Sequence, residues 1–213
     1  MNVFLLGLQV TDTAQENEGI INVLANSLPT SDKKDPTKVQ LLQKSDHYVG
    51  KALQKLEKGQ SVLAVGLVKP TMDGVLKMNT LMVVNKESFN DVLAINLFMA
   101  TGGLGPKSDE TELTDTTVTN RSIAWQQDNE THWFKLSAWG ELSKELSELP
   151  NGTPTIAVGS VTTSSKEDKS FLNYTVNKIQ YLPRGTKPAP KQAADPEKGT
   201  VAANAVAKLN FDL

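Results

Sequence analysis

Two stretches of this chain read almost alike. KGQSVLAVGLV at Lys58–Val68 and NGTPTIAVGSV at Asn151–Val161 each pass from a glycine into an apolar strand with a second glycine inside it. The inner glycines, Gly66 and Gly159, lie 93 residues apart. LKMNTLMVV at Leu76–Val84 parallels LNYTVNKIQ at Leu172–Gln180, and Asn2 with Asn96, like Asn26 with Asn120, are 94 apart. A nearly constant offset marks an internal repeat, and a repeat obliges both copies to satisfy one scheme of strand pairing.

Each copy is expected to run as three strands, a helix and a hairpin. In the first, Val3–Val10, Ile20–Leu28 and Val39–Leu42 are strands, the last two separated by the polar loop Pro29–Thr37. Ser45 is expected to cap a helix carrying Val49, Leu53 and Leu56 up to Gly59. A strand at SVLAVGLV follows, then a turn at Asp73-Gly74. In the second, Ile95–Thr101 is followed by a glycine turn, GGLG; Glu112–Arg121 alternates; His132–Trp139 is a strand; Glu141–Leu149 is a short amphipathic helix ending at Pro150. TIAVGSV and Phe171–Leu182 form the closing hairpin, tipped by TSSKEDKS. This is the connectivity of an OB-fold, so the fold class expected is all-β: a five-stranded barrel, duplicated, each copy with a short helix between its third and fourth strands.

A length of 213 residues accommodates two such domains, expected at 1–90 and 91–184. Residues 185–213 begin GTKPAPKQAADPEKGT, a Pro-, Ala- and Lys-rich stretch that cannot build a core, and are expected to be a flexible linker and tail.

Charge and composition remove several function classes. The formal net charge is −2, divided as +1 over residues 1–90, −4 over 91–185 and +1 over 186–213. No strong positive field surrounds any part of the chain, so phosphate contacts alone would make a weak binder. With no cysteine and two histidines, thiolate zinc sites and disulfides are excluded, no carboxylate spacing suggests a metal, and no metal or cofactor is expected. MNVFLLGLQVTD has the pattern of a strand rather than a signal peptide. No stretch reaches the roughly 18–20 apolar residues of a membrane helix, so a cytoplasmic, nucleoid-associated protein is expected. No nucleophile sits beside a base, and GGLG lacks the Lys-Ser/Thr ending of a phosphate loop, so the chain is not expected to be an enzyme.

The informative segment is HWFKLSAW. Strand alternation puts Phe134, Leu136 and Ala138 on one face, a natural core face, and Trp133, Lys135, Ser137 and Trp139 on the other. Exposed tryptophans beside a lysine suit base stacking with a phosphate contact. Trp139 also has a core reading, packed under the helix that follows it. Trp125, in the polar stretch WQQDNET, is expected on an exposed hairpin loop near Arg121; a subunit interface is the other reading for Trp125, and a pair with Asp128 the other for Arg121. Phe171, with Lys166 and Lys169, is expected on a hairpin arm beside the aromatic face.

In this order VTNRSIAW, HWFKLSAWGELSKEL, NGTPTIAVGSV and NYTVNKIQYL resemble the bacterial and phage-type single-stranded DNA-binding protein family over roughly 90 residues. The resemblance implies base stacking by Trp125, Trp133 and Trp139 and a phosphate contact near Arg121. It implies single-stranded DNA as partner, bound without strong sequence preference and protected in replication, recombination or repair. Its two-barrel variant implies a homodimer presenting four barrels. The family's acidic C-terminal tip, which recruits replication or repair proteins, is matched here only by KLNFDL. The first half carries no tryptophan, leaving it as a dimerisation barrel or one that binds through Lys33, Lys34, Lys38 and Lys44. The alternative function is an OB-fold accessory or interaction subunit of a replication complex.

Overall fold

Alternation between apolar and polar residues governs nearly every element of the computed structural model, which describes residues 2–28, 35–69, 71, 73–85, 94–127, 130–166 and 169–182. The linker and tail expected at 185–213, Lys33, Lys34, Asp128 and the hairpin tip Glu167-Asp168 lie outside the described residues. Residues 1–183 form one compact unit. Its first half comprises β1 (Asn2–Val10), β2 (Gln15–Asn17), β3 (Ile20–Ser27), β4 (Lys38–Lys44), α1 (Tyr48–Leu53), β5 (Ser61–Lys69) and β6 (Leu76–Asn85). The second comprises β7 (Asn96–Leu113), β8 (Thr116–Gln127), β9 (Glu130–Trp139), α2 (Glu141–Glu148), β10 (Pro154–Lys166) and β11 (Lys169–Tyr181). Among the described residues no helix is long and apolar enough to cross a membrane.

The pairings form two closed rings. β1 pairs with β5, β5 with β6, β6 in parallel with β4, β4 with β3, and β3 returns to β1. β7 pairs with β10, β10 with β11, β11 in parallel with β9, β9 with β8, and β8 returns to β7. The fold is an all-β, OB-like barrel fold with a short helix preceding β5 and another preceding β10.

Several details recur at the spacing the sequence repeat requires. Asn2 Oδ1 accepts from the Val68 backbone N–H at 2.8 Å, and Asn96 Oδ1 accepts from that of Val161 at 2.9 Å. A β-bulge at Leu81 in β6 lies opposite Val65 and Gly66, and one at Asn177 in β11 lies opposite Val158 and Gly159. Glycine is required there by close approach: a Cβ at Gly159 would lie 1.9 Å from the Thr175 carbonyl oxygen. Asn26 and Asn120 do not correspond, since Asn26 faces Lys38 at the start of β4 and Asn120 faces Ser137 near the end of β9.

The halves meet along β1 and β7, which pair antiparallel with Phe4 opposite Phe98. These rings lie 5.7 Å apart, and Phe4 also reaches Phe134 and Tyr174 of the second half at 5.9 and 6.1 Å. One apolar cluster therefore runs from Leu8, Ile21 and Leu41 through Phe4 to Phe98, Phe134 and Val161.

Three local expectations are corrected. GGLG is no turn: β7 runs through it to Leu113, and Gly102 sits where the strand passes from β10 to β8, with Ala124 so close that a Cβ would lie 2.0 Å from its carbonyl oxygen. Glu112–Arg121 is not one strand but a hairpin turning at Thr114-Asp115, with Leu113 opposite Thr116. The N-cap of α1 is His47, whose Nδ1 accepts from the Val49 N–H, not Ser45. Val49, Leu53 and Leu56 are nevertheless buried as their spacing requires.

Candidate nucleic-acid interface

β9 divides its residues as its alternation demands. Phe134, Leu136 and Ala138 are buried, while Trp133 and Trp139 are 49% and 46% exposed, with Lys135 exposed between them. Trp139 is thus not packed under α2. Opposite this outward row, β8 offers small or polar residues: Ala124 faces Trp133, Ser122 faces Lys135 and Asn120 faces Ser137. Ser137 Oγ donates to Asn120 Oδ1 at 2.6 Å, fixing both groups on the face.

The small residues determine how Trp133 lies. A Cβ placed at Gly105 would stand 3.1 Å from Trp133 Cζ3. Gly105 belongs to β7, two strands from β9, and strands are spaced about 4.8 Å apart. The indole therefore reaches across β8 to β7 while about half of it stays open to solvent, where a base could stack on it. A bulkier residue at Ser122, Ala124 or Gly105 would prop the ring upright. The sequence carries this signal only through the register, which sets those small residues beside the tryptophan.

β11 extends the face. Tyr174 and Thr175 pair in parallel with Leu136 and Ser137. Three residues before Tyr174 and Leu136 stand Phe171 and Trp133, both directed outward, and Phe171 is 48% exposed. Lys166 and Lys169 are paired across the arm and both exposed. The arm thus departs from the strand that pairs with β9.

Two expected site residues lie elsewhere. Trp125 is not on a loop but within β8, 6% exposed, packed on Phe134 at 4.4 Å and on His132 at 5.4 Å. Arg121 is 1% exposed and is not a surface cation. Its guanidinium donates to the carbonyl oxygens of Gly105, Leu146 and Leu149 and to Asn151 Oδ1. Leu146 and Leu149 close α2, whose last carbonyls have no partner within the helix, and a cation there is favoured by the helix dipole. Arg121 ties β8, the glycine segment and α2 together. Desolvation lowers its pKa, and its donors point inward, away from any phosphate.

Among the described residues no group of three or more His, Asp or Glu could hold a metal. No protein-family model matches the chain, and no curated protein does. Solved structures do match. The wild-type single-stranded DNA binding protein from Thermus aquaticus superposes with a TM-score of 0.66 at 18% identity, over 89% of this chain and 97% of that one. A deletion mutant of the same protein gives 0.68 at 19% identity, with the same coverage. The chain shares that protein's fold. Likeness at this level extends across both halves, so the paired rings, and not one barrel alone, are the common architecture.

Proposed function

We propose that the chain binds single-stranded DNA with little sequence preference and protects it during replication, recombination or repair. The observation that carries this reading is Trp133 reaching across β8 and half-exposed, with Trp139 half-exposed on the same side of β9. Every base has a π-face, so such rings hold bases regardless of sequence, at about 1–3 kcal/mol each. Lys135, Lys166 and Lys169 supply phosphate contacts beside the rings. The name of the Thermus aquaticus protein, with the same fold, supports the same class of ligand.

The matching asparagines and bulges support reading residues 1–90 and 91–184 as copies of one barrel, each with its helix between the third and fourth barrel strands. A homodimer presenting four barrels is supported by the outer face of the strands β6, β5, β1 and β7. Met82, Val65, Leu5 and Leu97 form one outward row across them, and Leu97 and Met82 are more than two-fifths exposed. An apolar row of this length suits a second copy better than water. The tail ending KLNFDL is the candidate for recruiting replication or repair proteins.

The test is anisotropy of a labelled oligo-dT with Trp133→Ala/Trp139→Ala. The expected result is an affinity loss of at least about tenfold to a hundredfold with an unchanged unfolding curve. A folded double variant that binds like the native chain would leave the barrels as an interaction module of a replication complex.

A further inference from the structure

The first half has a face in the same position as the tryptophan face, with different chemistry. In β9, Leu136 is set by its parallel pairing with Tyr174, two residues before the bulge partner Val176. In β4, Leu41 is set by its parallel pairing with Met78, two residues before the bulge partner Thr80. Aligning the two places Lys38 where β9 has Trp133, Gln40 where it has Lys135, and Lys44 where it has Trp139. Burial agrees: Val39 and Leu41 are buried like Phe134 and Leu136, and Lys38 and Lys44 are exposed like the tryptophans.

A groove of about 460 Å³ opens on this face, lined by Ile20, Leu42, Gln43, Lys44, Lys69, Lys77 and Asn79. Among the described residues no aromatic ring lines it. Lys77 is paired with Asp73 at 3.0 Å, and among the described residues Lys44 and Lys69 have no carboxylate partner. The two faces are joined by the β10–β11 arm. Thr163 Oγ1 lies 3.2 Å from Thr37 Oγ1, and Ser170 packs on Gly74, so closely that a Cβ there would lie 2.5 Å from the serine Cβ. Phe171, next to Ser170, thus stands beside the turn that leads into Lys77.

We propose that this lysine groove holds the sugar–phosphate backbone of the same strand whose bases stack on Trp133 and Trp139, and that it does so without reading or stacking bases. The inference rests on the reading of β9 as a single-strand platform. A cationic groove without rings recognises phosphodiesters alone, so a strand crossing it needs no bases there. The two halves divide the work: stacking on the acidic second half, charge neutralisation on the first.

Abasic DNA separates these contributions. Three labelled strands are compared at one low salt concentration: a dT block long enough to saturate the tryptophan face, the block extended at either end by abasic nucleotides, and the block extended by dT. The abasic extension is expected to tighten binding about tenfold or more, as much as the dT extension. In Lys44→Gln/Lys69→Gln/Lys77→Gln the ratio of extended to unextended affinity falls towards one. The slope of log K against log salt for the extended strand falls by about 2, at roughly 0.7 per phosphate on a single strand. A dT block that binds while the abasic extension adds nothing, or a gain that survives the triple variant, overturns the inference alone. A dT block that does not bind overturns the reading of β9 and the inference with it.

Discussion

Trp125, Trp133 and Trp139 lie within 15 residues of each other, and the structure gives them opposite environments. In Trp133→Phe/Trp139→Phe only Trp125 emits. Its fluorescence is expected to be blue-shifted and nearly inaccessible to acrylamide, whereas the native chain is readily quenched; equal accessibility in the two proteins would place Trp125 at the surface. Arg121 makes the complementary prediction. Arg121→Met removes donors from three carbonyls and Asn151, and is expected to destabilise the fold by about 3 kcal/mol or more in urea unfolding. A phosphate-contacting arginine would instead lower the salt dependence of binding and leave stability alone. The outward tryptophans are legible in the sequence because Phe134, Leu136 and Ala138 occupy the alternate positions of one strand. Arg121 and Trp125 are misread when polarity overrides parity. Arg121 shares its face of β8 with Ile123 and Trp125, so all three have to point the same way, and only the carbonyls at the end of α2 explain why that way is inward.

Among the elements, the glycines of β5, β7 and β10 are the hardest to interpret. The sequence shows Gly66 and Gly159 inside strands, and the bulges account for them. GGLG looks like a turn because glycine clusters usually mark one, and nothing local reveals that Gly102 lies under the Ala124 carbonyl. Gly159→Ala would force a Cβ against the Thr175 carbonyl and the Phe98 ring. We expect it to lower stability by about 3 kcal/mol, at the upper end of ordinary overpacking, as read from the urea midpoint. A midpoint equal to that of the native chain would show that β10 and β11 separate freely at the bulge. The third strand of the first half, VQLL, is recognisable in the sequence as the partner of HWFKLSAW. Its outward lysines become meaningful only once the parallel pairing of β4 with β6 fixes which residue stands in for each tryptophan.

For the molecule as a whole, the all-β, OB-like barrel class is legible because alternating apolar strands, glycines within them and short helices recur in the order such a barrel needs. The sharing of a core across the halves is not, since Phe4 and Phe98 are 94 residues apart and meet only through the β1–β7 pairing. The apolar row on the outer sheet makes a separate prediction about assembly. Light scattering is expected to give twice the 23.1 kDa of one chain, and Leu5→Lys/Leu97→Lys to give the single chain. A double variant that keeps the native mass would place the dimer contact on another surface. Stacking of single-stranded DNA bases on the β9 face is read out by titrating the native chain with oligo-dT at low salt while following tryptophan emission. Strong but incomplete quenching is expected, because DNA covers Trp133 and Trp139 and does not reach the buried Trp125. Emission that does not change up to saturating DNA would show that no base stacks on this face.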